Sequence, residues 1–169
     1  MLRQPVQHHQ HQLIQVVDSK MIRLANHEDT KITVALLREF LKETTYKQAE
    51  LAAQNLEHLC KIVWMAQQTG YIWLAFVDEE PAGLLIALKE PNVWLPQARE
   101  LREFVWFVLP KYRKTSIGGK LFIKYCQKAE ELLKSGSIQH YFTTKMTTTD
   151  HIDYEARGFR KTEETFLKE

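Results

Sequence analysis

The sequence has few of the residues that mark secreted or membrane proteins. It contains only two cysteines in 169 residues, Cys60 and Cys126, which lie far apart and outside any Cys-x-x-Cys pair. This pattern favours two reduced, buried thiols rather than a disulfide framework. No apolar run approaches the roughly 20 residues of a membrane-spanning helix. The N-terminus lacks the apolar core of a signal peptide, so we expect a cytoplasmic protein with no membrane partner.

The sequence also lacks an excess of charge of one sign. The formal net charge is +2, and acidic and basic residues are interleaved along the chain. Because nucleic-acid-binding proteins usually carry a basic stripe, we do not expect nucleic acid as a partner. A small anion at a local basic site remains compatible with this balance. The composition, 44% hydrophobic, is ordinary for a globular protein.

The first 19 residues differ in composition from the rest. They are rich in Gln and His and include His8, His9 and His11, but no carboxylate or cysteine stands at a metal-ligand spacing. We therefore expect residues 1–19 to form a solvated, partly mobile arm or an extra edge strand, and we expect no metal. Residues 20–169 show no linker or repeat, which predicts a single domain.

The apolar spacing predicts the element order β-α-α-β-β-β-α-β-α-β, an α+β (mixed α/β) fold with helices on both faces of the sheet. Helices are expected over 32–41 and 46–70, then a hairpin over 71–90 whose acidic tip is solvated. A strand over 100–109 and a helix after the glycines follow. The last predicted elements are a strand at 138–146, a short helix before Gly158 and a final strand from Phe159. Met65 and the tryptophans other than Trp94 are expected in the core.

The stretch "VLPKYRKTSIGGKLFIKY", Val108–Tyr125, joins a strand to a helix through a basic, glycine-containing turn. A glycine pair at a helix start leaves main-chain N–H groups uncovered, and the helix dipole adds positive potential. Such a turn predicts an anion site, most often for phosphate. The Walker A pattern fails at Lys114 and at Leu121. The alternative interpretation is that the glycines allow close packing of the helix on the sheet.

The segment "VLPKYRKTSIGGKL" resembles the acetyl-coenzyme A signature of the GNAT superfamily of N-acetyltransferases. Four positions of its first half match: Val108, Pro110, Tyr112 and Arg113. Gly118 matches the last glycine of the signature, whereas Ser116 stands where the family usually has glycine. Downstream, "YEARGF", Tyr154–Phe159, resembles the late Y-x-x-x-G-F segment of the family. The resemblance covers roughly residues 20–169.

The resemblance implies a central mixed, twisted sheet of about six to seven strands with splayed central strands, flanked by about four helices. It implies transfer of an acetyl group from acetyl-coenzyme A, a co-substrate, to a primary amine by direct attack in a ternary complex, without a metal. The acceptor would be a small molecule or a peptide. The residues implied in coenzyme binding are Phe107, Val108, Arg113, Lys114, Thr115, Ser116, Ile117, Gly118, Gly119 and Lys120.

The resemblance also implies catalytic roles. Tyr154 is the expected general acid for the thiolate. For the general base, Glu103, Glu100 and a water relay are open, and Glu103 is preferred. Simple alternation along the strand predicts that Glu103 shares a face with Val105 and Phe107. Three further residues are candidates for contact with the acceptor: His140, His151 and Trp94.

A second interpretation is a catalytically weakened module or adaptor that keeps the fold and binds acyl-coenzyme A. Ser116 and the uncertain base leave it open. Self-association into a homodimer is also compatible with the sequence, and the identity of the acceptor is not encoded in any motif.

Overall fold

The computed structural model describes residues 20–44, 46–145, 152–166 and 168. The predicted arm over residues 1–19, with its histidines, and His151 lie outside the described residues.

The described strands form one mixed sheet. The strands are β1 (Lys20–Leu24), β2 (Gly70–Val77), β3 (Glu80–Pro91), β4 (Arg99–Val108) and β5 (His140–Phe142). Their order in the sheet is β1-β2-β3-β4-β5. The first four are antiparallel neighbours, and β5 runs parallel to β4. A parallel neighbour needs a crossover connection, which the long helix between β4 and β5 supplies.

Four helices cover the two faces of the sheet, as predicted. They are α1 (Thr30–Lys42), α2 (Ala49–Gln54), α3 (Leu56–Thr69) and α4 (Ile117–Lys134). The buried side of α1 and α3 packs on one face with the side chains of Leu74 and Ile86. The apolar stripe of α4 packs on the other face with Trp73 and Leu85. Apolar residues at helical spacing thus meet alternating apolar residues of central strands.

The second predicted helix is interrupted. Asn55, with φ −82° and ψ 75°, ends α2 and begins α3, and its side-chain oxygen accepts a hydrogen bond from the N–H of His58. An asparagine side chain competes in this way with continued helical hydrogen bonding.

Two predictions about the outer side of α3 are wrong. Cys60 is exposed rather than buried, and Trp64 and Met65 are exposed rather than core. The buried stripe of α3 consists of Leu59, Val63 and Ala66. Because the helix has apolar residues on both sides, hydrophobicity alone could not identify the side that faces the sheet.

The number of strands is lower than predicted, with five in the described part of the chain instead of six to seven. The predicted helix before Gly158 is a single turn, Glu155–Arg157, and Gly158 closes it with φ 85°. Residues 159–166 contain no strand. Phe166, the large apolar residue of that segment, is 87% exposed, so nothing buries one face of a strand there.

The predicted hairpin is confirmed, but its tip is not merely solvated. Asp78 and Glu79 both have positive φ, 48° and 71°, as a two-residue hairpin turn requires. The carboxylate of Glu80 accepts hydrogen bonds from Lys111 Nζ at 2.8 Å and from the Tyr112 hydroxyl at 3.1 Å. The tip thereby attaches to the turn that follows β4.

A buried ion pair fixes the turn from β1 into α1. Asp29 is buried, and its carboxylate accepts hydrogen bonds from both terminal nitrogens of Arg23, at 2.6 and 2.7 Å. It also accepts the N–H of Asn26 at 2.8 Å. The Arg23 guanidinium, with the Asn26 N–H, outweighs burial and lowers the pKa of Asp29.

We predict acid sensitivity from this pair. A carboxylate with a depressed folded-state pKa stabilises the protein above its unfolded pKa, about 3.9, and that stability is lost as the pH falls through the folded value. Asp29→Asn should therefore lower the free energy of unfolding at pH 7 by about 1–3 kcal/mol. The deficit should shrink toward pH 3, as measured by urea unfolding. The exposed control Glu57→Gln should leave the free energy of unfolding unchanged at both pH values. An equal loss of stability of Asp29→Asn at pH 7 and at pH 3 would contradict the assignment.

Candidate functional site

The central strands separate into a fork. β5 pairs with β4 only where Glu100–Arg102 faces His140–Phe142. Beyond Arg102, β4 continues to Val108 paired with β3 on one side, and no strand of the described chain lies on its other side. The N–H of Leu109 donates to Ala82 on the β3 side, at 2.9 Å. By alternation, the main-chain groups of Trp106 and Val108 face the open side. The predicted splay of the central strands is therefore present.

Tyr125 holds the fork at the point where pairing ends. This α4 side chain is fully buried. Its hydroxyl donates to the carbonyl of Phe142 on β5 and lies 3.4 Å from the carbonyl of Leu101 on β4. Burial raises the pKa of the phenol, so the hydroxyl remains a neutral donor. One side chain thus joins the two strands close to the end of their pairing.

Glu103 lies inside the fork. Its carboxylate oxygen Oε2 accepts the N–H of Thr144 at 2.8 Å and the hydroxyl of Thr143 at 3.1 Å. The carboxylate thus replaces the strand pairing that would otherwise satisfy this N–H. The side chain is 7% exposed, and burial raises its pKa against the effect of these two hydrogen bonds.

The other carboxylate oxygen of Glu103, Oε1, accepts no hydrogen bond from the described residues. Every fully buried side-chain oxygen in that part of the chain has a partner.

A β-bulge decides which face of the sheet Glu103 occupies. The register places Ala87 opposite Glu103 and Ile86 opposite Val105, so Phe104 is an extra residue of β4. Opposite residues share a face, and Ala87 belongs to the α4 side whereas Ile86 belongs to the α1–α3 side. The prediction that Glu103 shares a face with Val105 and Phe107 is therefore wrong. The extra residue reverses the alternation.

Tyr154 reaches the α4 side of the fork from the segment after β5. Its half-buried ring packs edge-on against Phe122 at 5.9 Å and Phe159 at 6.0 Å. Burial raises the pKa of its phenol, a side-chain hydrogen bond with Thr143 opposes that rise, and the charge of Glu103 adds to it. Thr143 thus donates to Glu103 and influences the pKa of Tyr154. A threonine after a strand carries no motif, so the sequence alone did not indicate it.

Two other candidates for acid–base chemistry, Glu100 and His140, are hydrogen-bonded to each other. Burial would raise the pKa of Glu100, but hydrogen bonds from Asn92, His140 and Arg102 together lower it. Its two oxygens lie 2.9 to 3.0 Å from these three donors. Glu100 and His140 therefore form a closed network at the paired end of the fork.

Trp94 projects from the loop between β3 and β4. It is 91% exposed, and its main-chain N–H is held by the side chain of Asn92.

Cys126 lines an open groove of about 750 Å³ beside α4, and burial raises the pKa of its thiol to about 11. A thiol with that pKa is protonated at neutral pH and is a poor nucleophile.

Among the described residues, no three His, Cys, Asp or Glu side chains form a metal-binding group. None of the described helices has the length and apolar character needed to cross a membrane.

The loop between β4 and α4 is held from within by Arg113. Its Nε donates to the carbonyl of Val108 at 2.9 Å, and its guanidinium pairs with Glu43 at the end of α1. The Thr115 hydroxyl donates to the carbonyl of Tyr112 at 2.7 Å. The Arg113 side chain is therefore engaged within the protein, whereas Lys114 and Lys120 are exposed.

The helix start presents unused N–H groups. The first backbone hydrogen bond of α4 runs from Lys120 to Ser116, at 2.9 Å. The N–H groups of Gly118 and Gly119 have no acceptor among the described residues, as expected for the first turn of a helix. Ile117 is buried beneath the loop, and its N–H makes only a long contact to Thr115. Phe107 also points inward, against Phe40.

The glycine pair is not needed for packing. A Cβ on Gly118 would meet Val108 at 3.7 Å, an ordinary contact, and a Cβ on Gly119 would meet nothing within 4 Å. Neither glycine has a positive φ. The alternative interpretation, close helix–sheet packing, therefore lacks support. The missing Cβ atoms leave space above free N–H groups, and these residues fit the diphosphate of coenzyme A. At Ser116, φ is −75°, which does not require glycine.

We predict that Gly119→Ala makes the fold more stable but weakens the binding of acetyl-coenzyme A. Alanine in a helix should raise the free energy of unfolding by about 0.5–1 kcal/mol, because glycine loses more conformational entropy on folding. Its methyl group should obstruct the approach of a diphosphate, so affinity for acetyl-coenzyme A should fall at least about tenfold. Calorimetric titration and urea unfolding measure the two effects. Unchanged affinity would remove this helix start from the coenzyme site.

The model of the acetyltransferase (GNAT) family matches residues 34–159. A search of curated protein sequences gave no match.

Solved structures share the fold at low sequence identity. A predicted acetyltransferase from Clostridium acetobutylicum, solved with acetyl-CoA, has a TM-score of 0.65 at 14% identity, with 89% of this chain and 96% of that chain covered. A GCN5-related N-acetyltransferase from Ralstonia eutropha JMP134 has a TM-score of 0.66 at 16% identity, covering 89% and 98%. A ribosomal-protein-alanine N-acetyltransferase from Brucella melitensis biovar Abortus 2308 has a TM-score of 0.56 at 15% identity, covering 89% and 99%.

Proposed function

This chain belongs to the GNAT acetyltransferase family, and we propose that it is an N-acetyltransferase that uses acetyl-coenzyme A and a primary amine. Family membership implies acyl transfer from acyl-coenzyme A; the acetyl group, the amine and direct attack in a ternary complex are our proposal. One observation carries it. Glu103 and Tyr154 lie in a fork of the sheet whose open strand edge leads to the free N–H groups of Gly118 and Gly119.

The chain would hold the coenzyme mainly through its backbone. Acetyl-coenzyme A supplies a thioester. The open edge of β4 near Trp106 and Val108 would pair with the amides of the pantetheine arm, as a neighbouring strand would. The helix start would bind the diphosphate through N–H groups, with Lys114 and Lys120 adding charge. A main-chain N–H near Val108 would stabilise the negative charge that develops on the carbonyl oxygen.

Glu103 would act as the general base. Its Oε2 is held by Thr143 and Thr144, whereas Oε1 accepts no hydrogen bond from the described residues. Burial raises its pKa above the ordinary carboxyl value, and a carboxylate with a raised pKa is a stronger base. Glu100 is less suited because three hydrogen bonds occupy its carboxylate and lower its pKa.

Tyr154 would act as the general acid. Burial raises the pKa of its phenol, so the proton is present at neutral pH when the sulfur departs. Its ring is positioned against Phe122, on the second turn of α4. The acid would therefore lie beside the helix whose first turn binds the diphosphate.

The direct test has two steps. Calorimetric titration with acetyl-coenzyme A should show one-site binding. Thiol release should then follow with at least one member of an amine panel comprising spermidine, kanamycin, a peptide with a free N-terminal alanine and a lysine-containing peptide. Lys134→Gln, at the far end of α4, is the control for nonspecific charge effects. Binding without release on any amine would favour the catalytically weakened module, and no binding would overturn both interpretations.

We predict that Tyr154→Phe lowers the acetylation rate by roughly ten- to a thousandfold with little change in coenzyme affinity, because only the acid proton is removed. Steady-state kinetics and calorimetry measure the two quantities. Tyr46→Phe, an exposed tyrosine between α1 and α2, serves as the matched control. If turnover of the Tyr154 variant equals that of the parent, Tyr154 has no role as acid.

We also predict that Glu103→Gln removes the acidic limb of the pH–rate profile and lowers kcat by about 10²–10⁴-fold. With a base of raised pKa, the parent's activity should fall as the pH decreases through that pKa. Glu100→Gln should retain the limb. A Glu103 variant with the parent's pH profile would exclude Glu103 and return the role to Glu100 or to water.

A further inference from the structure

Glu103 is a buried carboxylate with two hydrogen-bond donors, and one of them depends on a side chain. The N–H of Thr144 donates to Oε2 at 2.8 Å, and the hydroxyl of Thr143 donates to the same oxygen at 3.1 Å. Any residue except proline at position 144 would supply the first donor, because it belongs to the main chain. The second donor is a side chain. The residue type at position 143 therefore decides whether Oε2 has one donor or two among the described residues.

The core of the protein fixes the position of the Thr143 hydroxyl. Thr143 directly follows β5, and the carbonyl of the preceding residue, Phe142, accepts a hydrogen bond from the hydroxyl of fully buried Tyr125. Tyr125 belongs to α4, the helix that packs on the face of the sheet that Glu103 occupies. The donor and the carboxylate are therefore held together by the same packed side of the sheet.

Two opposing effects act on the ionisation of Glu103. Burial disfavours the charged form, because it removes the charge from water. A hydrogen bond from a donor favours the charged form, because the bond is stronger when the acceptor is ionised. At Glu103, burial raises the pKa and the bonds from Thr143 and Thr144 lower it. Burial thus makes Glu103 a stronger base, while the two donors oppose its protonation.

A general base must be ionised before it can accept a proton. We propose that Thr143 is a positioning residue whose hydroxyl keeps the buried carboxylate of Glu103 ionised at neutral pH. This inference rests on the role of Glu103 as the base of the proposed N-acetyltransferase. Of the two donors, only the one at position 143 can be removed by a side-chain substitution.

The titratable groups that face Glu103 are two tyrosines. Tyr125 on α4 and Tyr154 in the segment after β5 both respond to the charge of Glu103. Burial raises the pKa of both phenols, so both are uncharged at neutral pH. The β3 residue opposite Glu103 is an alanine. Arg102, the neighbour on β4, lies opposite Leu88 and so belongs to the α1–α3 side of the sheet.

The proposal has a consequence that depends on pH. Loss of one hydrogen bond to a charged acceptor corresponds to a rise of about 1–2 pH units in the titration midpoint of Glu103. Activity should therefore fall about ten- to a hundredfold on the acidic side of the new midpoint and approach that of the parent on the alkaline side. A purely structural defect would lower the activity at every pH.

The first test measures the ionisation of Glu103 without any turnover. Its carboxyl carbon is followed by NMR in glutamate-labelled protein free of coenzyme, and Glu103→Gln identifies the signal. We expect Thr143→Val, which keeps the shape and removes the hydroxyl, to raise the midpoint by about 1–2 pH units. Thr143→Ser, which restores the hydroxyl, should stay close to the parent. Thr144→Val removes a neighbouring hydroxyl but keeps the N–H, and this matched control should leave the midpoint in place.

The second test is the pH–rate profile with acetyl-coenzyme A and the most active amine of the panel. The acidic limb of kcat/KM for the amine should move to higher pH in Thr143→Val by the amount found in the titration. In Thr143→Ser the limb should return to the position of the parent.

The two tests separate failure of this inference from failure of the proposed function. An unchanged Glu103 midpoint in Thr143→Val overturns the inference, whatever the protein catalyses. A raised midpoint with an unmoved acidic limb, or with no reacting amine, supports the effect of Thr143 on Glu103 and overturns the proposed role of Glu103 as base.

Two measurements cover the case in which Thr143→Val does not fold. Thr143→Ala also removes the hydroxyl and takes its place in the comparison with Thr143→Ser. The parent protein gives an independent result, because its Glu103 signal should be that of a carboxylate at neutral pH. A protonated Glu103 in the parent at neutral pH would overturn the inference.

Discussion

The fork between β4 and β5 is the constraint on which the rest of the site depends. Parallel strands that pair along their whole length leave no cleft, and strands that separate leave main-chain groups without partners. Here the Tyr125 hydroxyl bridges the carbonyls of Leu101 and Phe142, and Glu103 accepts the N–H of Thr144. The opening is thus stabilised by hydrogen bonds rather than by strain. The carboxylate of Glu103, which accepts this N–H, is also the proposed general base.

In the loop between β4 and α4, the side chains and the main chain have different roles. Arg113 is directed inward, to Val108 and Glu43, and Glu80 holds the preceding turn through Lys111 and Tyr112. These ion pairs are largely exposed, and individually each contributes little to stability. Together they position a helix start whose free N–H groups point outward. Since those groups belong to the main chain, a serine at position 116 is compatible with the loop.

Much of this arrangement could be predicted from local patterns. The helical segments that form α1, α2 with α3, and α4, together with the hairpin, the strand leading to Pro110 and the glycine turn, follow from apolar periodicity and from residue types with special backbone freedom. Tyr154 was found through its neighbouring glycine and phenylalanine. The outer face of α3 and the final strand were mispredicted, because apolar residues at Trp64 and Phe166 have no partner surface in the described chain.

By itself, the sequence determined most of the order of elements and predicted an anion site at the start of α4. Its resemblance to the GNAT family supplied Tyr154 as the candidate acid and Glu103 as the preferred candidate base. Only the tertiary structure decided how they meet. The bulge at Phe104 turns Glu103 to the α4 side, and β5 brings Thr143 to it from 40 residues further along the chain. Periodicity describes a strand in isolation, whereas a bulge and a cross-strand neighbour are set by the register with another strand.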